Sequence, residues 1–187
     1  MRKAIYALLF MVIFLGLSIS TEAKVPIRFP FKLAPGISQD TVISIMEQRG
    51  FTVTDQMIDS NDVSWCSFEG DASLSKNIPV ANARMSFLSG HLYLISLGMP
   101  YVSDEVQQLV RLKEIGQFIK NTYFIDTNDV QIENIRIERL KGLGLEFEGS
   151  RIKLRVSSHY DANYGYGISI NYQDKWAEDK FERRMIR

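Results

Sequence analysis

The residues whose types and spacing come nearest to catalytic machinery lie in SSHYDANYGYG, positions 157–167. Asp161 stands two places after His159, a spacing at which a carboxylate can orient an imidazole, and Ser157 or Ser158 offers a hydroxyl that such a pair could activate. The same letters also spell a turn. Asp-Ala-Asn-Tyr-Gly closes local hydrogen bonds through Asp and Asn and accepts positive φ at Gly, as the connection between two antiparallel strands requires. The turn is the reading adopted; the alternative it leaves is a small extracytoplasmic hydrolase using His159 and Asp161. Tyr160, Tyr164, Tyr166, Tyr172 and Trp176 concentrate aromatic rings here, a composition suited to stacking on a sugar or a peptide. Tyr166, Ile168, Ile170 and Tyr172 share one strand face and are assigned to the core, which leaves Tyr160 and Tyr164 at the tip free to bind.

Other reactive residues are few. Cys66 is the sole cysteine, so no intramolecular disulfide can form, and its setting in VSWCSF is that of a buried structural thiol in a strand. His91 and His159 could complete a zinc site with Cys66 only if distant segments converged, and their spacing gives no sign of it. Phosphate-cradling, nucleophile-elbow and zinc-protease motifs are absent. Gly142, Gly144 and Gly149 in KGLGLEFEG lead into a strand and serve turns or a bulge. The expectation is therefore no cofactor, no metal and no catalytic residue.

The N-terminus carries the most specific signal. Arg2 and Lys3 precede an apolar run from Ala4 to Ile19, and Thr21-Glu22-Ala23 has small residues at both positions a signal peptidase reads. The run covers 16 residues, short of the roughly 20 that span a hydrocarbon core. Residues 1–23 are thus expected to be a signal peptide, with Ser18-Ile-Ser20 as a second cleavage choice, and the product to be secreted or periplasmic without a stable membrane anchor. Lys plus Arg equals Asp plus Glu at 22 each in 187 residues. Such a balance gives no field to gather nucleic acid.

The elements that must position the tip follow in order. VPIRFPFKLAPG mixes apolar residues with three prolines and reads as an extended lead-in or edge strand rather than a helix. Ser38 is expected to cap a helix over about 39–49, with Val42, Ile45 and Met46 on its apolar face, Gly50 as its stop and Phe51 folding back on Met46. Strand-like runs follow: FTVTDQMI, VSWCSFEG, VANARMSFL and HLYLISLG, with breaks at 59–62 and 73–79. Ser103 is expected to cap a second helix to about Asn121, its buried stripe made by Val106, Leu109, Val110, Ile115 and Ile119. VQIENIRIERL, LGLEFEG, SRIKLRVS and YGISINYQ then read as strands. Helices that are not interleaved one per strand predict an α+β fold, two helices packed on an antiparallel β-sheet. Residues 24–175 form that domain, and 176–187 a charged tail. A duplicated helix-then-strands unit, with halves at 36–99 and 100–175, is compatible with cap serines 65 apart and hairpins 60 apart.

Those hairpins are alike inside and unlike outside. With Gly149-Ser150 as a two-residue loop, Phe147 pairs with Ile152 and Leu145 with Leu154 on one face, while Glu148 meets Arg151 and Glu146 meets Lys153 on the other. That face is dressed for water. With Ser89-Gly90 as the other loop, Phe87 pairs with Leu92 and Met85 with Leu94, and Leu88, His91, Tyr93 and Ile95 face outward. Leu88, Tyr93 and Ile95 are therefore candidate binding residues beside Tyr160 and Tyr164, covered either by the chain's own segments or by a protein partner or second copy.

The short helix ending in EQRGF (47–51), the paired strands and the final ISINYQDK (168–175) resemble a loose class of small secreted bacterial α+β proteins without assigned activity. The class implies no catalytic residues. In outline the repeated helix-then-sheet order is also similar to β-lactamase inhibitor proteins, a likeness of architecture that assigns no function. Together these readings describe an exported binding or interaction protein.

Overall fold

The computed structural model describes residues 19–22, 26–58, 62–123 and 135–177. Helix α1 (Gln39–Glu47) begins as expected, the Ser38 hydroxyl accepting from the Thr41 amide at 3.4 Å. It ends at Gly50, whose φ of 84° turns the chain so that the Phe51 amide bonds Met46 O at 3.1 Å, and both side chains enter the core. Strands β2 (Thr52–Ile58), β3 (Val63–Ser75), β4 (Ile78–Leu88) and β5 (His91–Gly98) then form an antiparallel meander. The break expected at 73–79 shrinks to Lys76-Asn77. Register shifts at Glu69/Ala72 and Ser73/Ser75 interrupt pairing without ending it, and such bulges bend a hairpin.

Helix α2 (Glu105–Tyr123) departs from the expected phase. Its cap is Asp104 rather than Ser103: Asp104 Oδ1 accepts from the Val106 amide at 2.8 Å. The buried stripe is Gln108, Leu112, Ile115, Gly116, Ile119 and Tyr123, whereas Val106 and Val110 are exposed. A polar residue leads the stripe because its amide nitrogen is answered inside, although Oε1 is buried without a partner. Gln108 Nε2 donates to Gly167 O at 2.8 Å and to Ser158 Oγ at 3.1 Å, pinning the helix to the sheet. Among the described residues no helix is long and apolar enough to cross a membrane.

Beyond α2, residues 130–134 of the expected strand lie outside the described residues, and Ile137–Arg139 form a 3-10 turn instead of a strand. Strands β6 (Gly144–Glu148), β7 (Ile152–Asp161) and β8 (Gly165–Asp174) make a second meander, and β1 (Ile19–Glu22) lies parallel to β6 at the edge. The full order is β1-β6-β7-β8-β5-β4-β3-β2. The fold is thus α+β: seven antiparallel strands with two main helices against one face. The last strand of each meander meets the other at the centre, β5 beside β8. Of the sequence's terminal assignments, 1–18, 23–25 and 178–187 lie outside the described residues.

Register decides which side chains face where. In β6–β7, Phe147 pairs with Leu154 and Glu148 with Lys153, two places from the expected partners. A slip of two leaves every side chain on its expected face: the apolar side is buried, and Lys153 lies 2.9 Å from Glu146 on the other. In β4–β5 the Ser89-Gly90 turn forms as expected, with φ of 51° and 78°, and Phe87 pairs with Leu92. Between Phe87 and Ser86, however, the register shifts, so Met85 meets Ile95 and Ser86 meets Leu94. The extra residue inverts the phase. Ile95 points into the core with no exposed surface, and Leu88 is buried as well, so the expected apolar patch of Leu88, Tyr93 and Ile95 does not form. Replacing Ile95 with Ala should cost about 2–5 kcal/mol, whereas Leu94→Ala should cost no more than about 1 kcal/mol. Urea denaturation of the two variants checks this, and equal losses would put the bulge elsewhere.

Candidate functional site

The hairpin tip is built on close approach. Outward-facing His159 lies opposite Gly167, and a Cβ there would stand 2.5 Å from His159 Nε2 and 2.9 Å from the Tyr101 ring. Only glycine lets these rings meet over the sheet. Tyr101 stacks edge-on against His159 at 5.7 Å, with its hydroxyl 3.2 Å from His159 Nε2, and lies 5.5 Å from Tyr164. On the helix side, Tyr160 packs against Tyr166 at 4.9 Å and carries Lys141 over its ring at 4.7 Å. Tyr160 and Tyr164 are exposed, as the sequence implied, and Tyr101 joins them from a segment the sequence reading passed over.

No catalytic relay assembles here. Asp161 Oδ1 accepts from the Asn163 amide at 2.7 Å and the Tyr164 amide at 3.2 Å, so its carboxylate closes the turn. His159 is engaged by Tyr101. Ser158 points to the opposite face and is buried against Gln108, while Ser157 pairs with Gly144 and Ser169 in the sheet. Cys66 is buried; desolvation pushes its thiol up, and Gln39 Nε2 lies 3.0 Å from the sulfur. Among the described residues no group of three His, Cys, Asp or Glu is gathered to hold a metal.

One row of the outer sheet face is polar, Ser67, Arg84, Ser96, Asn171, Arg155 and Glu146; the next carries Met57, Trp65, Ser86, Leu94 and Gln173, with Arg84 stacked 3.8 Å over Trp65. Tyr93 is the extra residue of the β5 bulge and is half-buried, which pushes its hydroxyl up.

The concavity lies at the other end of α2 from the tip. A cavity of about 590 Å³ is bounded by the lead-in, the last turns of α2, the bent β3–β4 hairpin and the end of β8. Along the lead-in, Ile27, Phe29, Phe31 and Leu33 are buried while Arg28 and Lys32 are exposed, a strict alternation that packs one side of the segment on the core. Phe31 and Lys32 both adopt left-handed φ, 59° and 61°. Such backbone costs about 1–3 kcal/mol per residue and persists only where packing enforces it. Here the enforcement is visible: Phe31 lies edge-on to Phe51 at 5.8 Å and under the Arg49 guanidinium at 5.5 Å. Phe118 and Tyr123 from α2, Leu74 from β3 and Tyr172 from β8 complete the apolar wall. Tyr172 is buried and held well above the ordinary tyrosine range by desolvation; Tyr123 is raised by the same cause, and its hydroxyl reaches Arg28 O at 3.5 Å. The alternation in IRFPFKL was legible in the sequence; the surfaces it would roof were not.

No protein-family model, curated protein or solved structure matches the chain.

At the tip, Tyr166 donates to Glu105 at the start of α2, and this hydrogen bond, followed by burial, pushes the phenol up to about 12. Because the folded state holds the proton more tightly than the unfolded chain, the contribution to stability is complete below the ordinary tyrosine value of about 10 and is lost as pH rises towards 12. Tyr166→Phe should therefore flatten the fall in stability across pH 10 to 12 and remove one late step from the phenolate absorbance titration. An unchanged alkaline profile would show that the Glu105 contact does not set this value.

Proposed function

We propose that the chain is an exported binding protein that holds a small ligand in the cavity between the lead-in and the end of α2. The observation that supports this is the cavity itself. Its volume of about 590 Å³ lies within the range of roughly 300–1,000 Å³ common to small-molecule sites, and strained backbone at Phe31 and Lys32 is invested in its wall. Export rests on Arg2, Lys3, the apolar run and the small residues before Lys24. The neutral reporter N-phenyl-1-naphthylamine tests the cavity. Its fluorescence should rise saturably at one site, and Leu74→Trp, which fills the wall, should weaken binding at least about tenfold while far-ultraviolet dichroism stays unchanged. Unsaturable binding, or binding indifferent to Leu74→Trp, would remove the cavity from the reading. For export, the intact mass of protein recovered outside the cytoplasm should correspond to a chain beginning at Lys24, which removes edge strand β1 from the sheet, or at Thr21 if the second cleavage choice is used; a mass that includes Met1 would contradict it.

A second reading, docking of a protein partner or a second copy through Tyr160 and Tyr164, is favoured by the exposure of both rings at the tip, Tyr164 beside Tyr101 and Tyr160 on the helix side. Sedimentation velocity tests the self-associating form: a concentration-dependent dimer that Tyr101→Ser with Tyr164→Ser reduces to monomer supports it, and a dimer indifferent to both substitutions refutes it.

A further inference from the structure

Among the described residues, the cavity wall is charged in one sense only. Arg28, Lys32 and Arg49 line it, and no carboxylate does among the described lining residues. Arg28 and Lys32 make no ion pair with a described residue, and Arg49 lies over the Phe31 ring. The chain as a whole balances 22 basic against 22 acidic residues, so three cations and no acid among the described lining residues are a local departure. Like charges beside a low-dielectric wall repel one another and focus a positive potential into the hollow. An anion seated there relieves that repulsion.

The interior asks for something else. Phe29, Phe31, Phe118 and Tyr123 line the same space, and a ligand that is only an ion would make no use of their apolar edges. The alternation along the lead-in explains how both demands meet in one place. Phe29 and Phe31 point inward, and Arg28 and Lys32, one residue to either side, stand outward. Charge is thereby carried at the rim and apolar surface at the floor.

Building on the reading that the cavity is the ligand site, we propose that it selects amphipathic anions: molecules with a carboxylate or phosphate head on an apolar body. The head sits among Arg28, Lys32 and Arg49, and the body lies on the Phe29, Phe31, Phe118 and Tyr123 rings. The apolar part supplies affinity and the charge supplies selectivity, a division common to concave sites with few polar groups.

Calorimetric titration of the full chain tests this with three probes below their micellar concentrations: dodecanoate, dodecanol as the same tail without charge, and acetate as the charge without a tail. Dodecanoate should bind at least about tenfold more tightly than dodecanol, and acetate should give no measurable heat. The triple variant Arg28→Gln, Lys32→Gln, Arg49→Gln alters only exposed side chains. It should keep the dichroism spectrum of the parent, with a melting temperature lowered only by the loss of the Arg49–Phe31 contact, and lower dodecanoate affinity to that of dodecanol. Leu74→Trp should weaken both long-chain probes and so locate them in the cavity rather than on another apolar segment. Equal affinity of dodecanoate and dodecanol would overturn the charge selection while leaving the cavity as a ligand site. Failure of both to bind would overturn the cavity reading itself. Acetate binding as tightly as dodecanoate would reduce the site to a simple anion patch, and a triple variant with parental dodecanoate affinity would move the head elsewhere; either result overturns the proposal.

Discussion

The pairing of β5 with β8 is the contact on which the rest of the molecule depends. Each meander ends in one of these strands, and their antiparallel seam joins two incomplete sheets into one. Ile95 lies opposite Tyr172 and Leu97 opposite Ile170, all four essentially without exposed surface. Burying such side chains stabilises the fold by roughly 1.5–3 kcal/mol each. The seam also closes two edges that would otherwise present unpaired backbone to solvent. It sets the position of Tyr172 beneath the end of α2 and of Gly167 beneath its start, so the cavity wall and the aromatic tip are both referred to the same strand.

A sheet covered on one face only must keep its two faces chemically distinct. Inside, the alternation of β4, β7 and β8 delivers an apolar layer interrupted by buried Ser158 and Asp174; outside, the same strands show serine, asparagine, glutamine, lysine and arginine. The ion pairs on that outer side contribute little energy individually, but a one-residue slip would bury them, and so they specify register. Where alternation fails, at the β5 bulge, the chain inserts one residue and restores the apolar phase rather than expose Ile95. Left-handed backbone occurs at Phe31 and Lys32 beside the cavity, and among the other described non-glycine residues at Asp62 and Ser89.

Much of this order was readable in the letters, and the exceptions share a cause. Ser38, Gly50 and Phe51 act through contacts only a few residues long, and they terminate α1 as their chemistry dictates. Asp161 and Asn163 likewise close their own turn, which is why the turn outcompetes the relay imagined for His159. The stripe of α2 was misjudged because Val106 and Val110 satisfy helical spacing as well as Gln108 and Leu112 do. Choosing between them needs the carbonyl of Gly167, which lies 59 residues away. Of the binding residues expected, Tyr160 and Tyr164 stand exposed at the tip, whereas Ile95 fell to a one-residue register shift that no local pattern announces, and Leu88 is buried although it keeps its expected partner His91.

By itself, then, the sequence determined the helix-then-strands order, the caps and turns made from adjacent residues, the buried Cys66 and the exposed tip, because these depend on interactions a few residues apart. Tertiary structure alone decided the seam between β5 and β8, the phase of β5 and the cavity under the lead-in. IRFPFKL displays its alternation plainly, yet alternation says only that one side is apolar. What that side meets is fixed by which distant surfaces remain uncovered once the sheet and α2 have packed, and that balance of burial is a property of the whole chain.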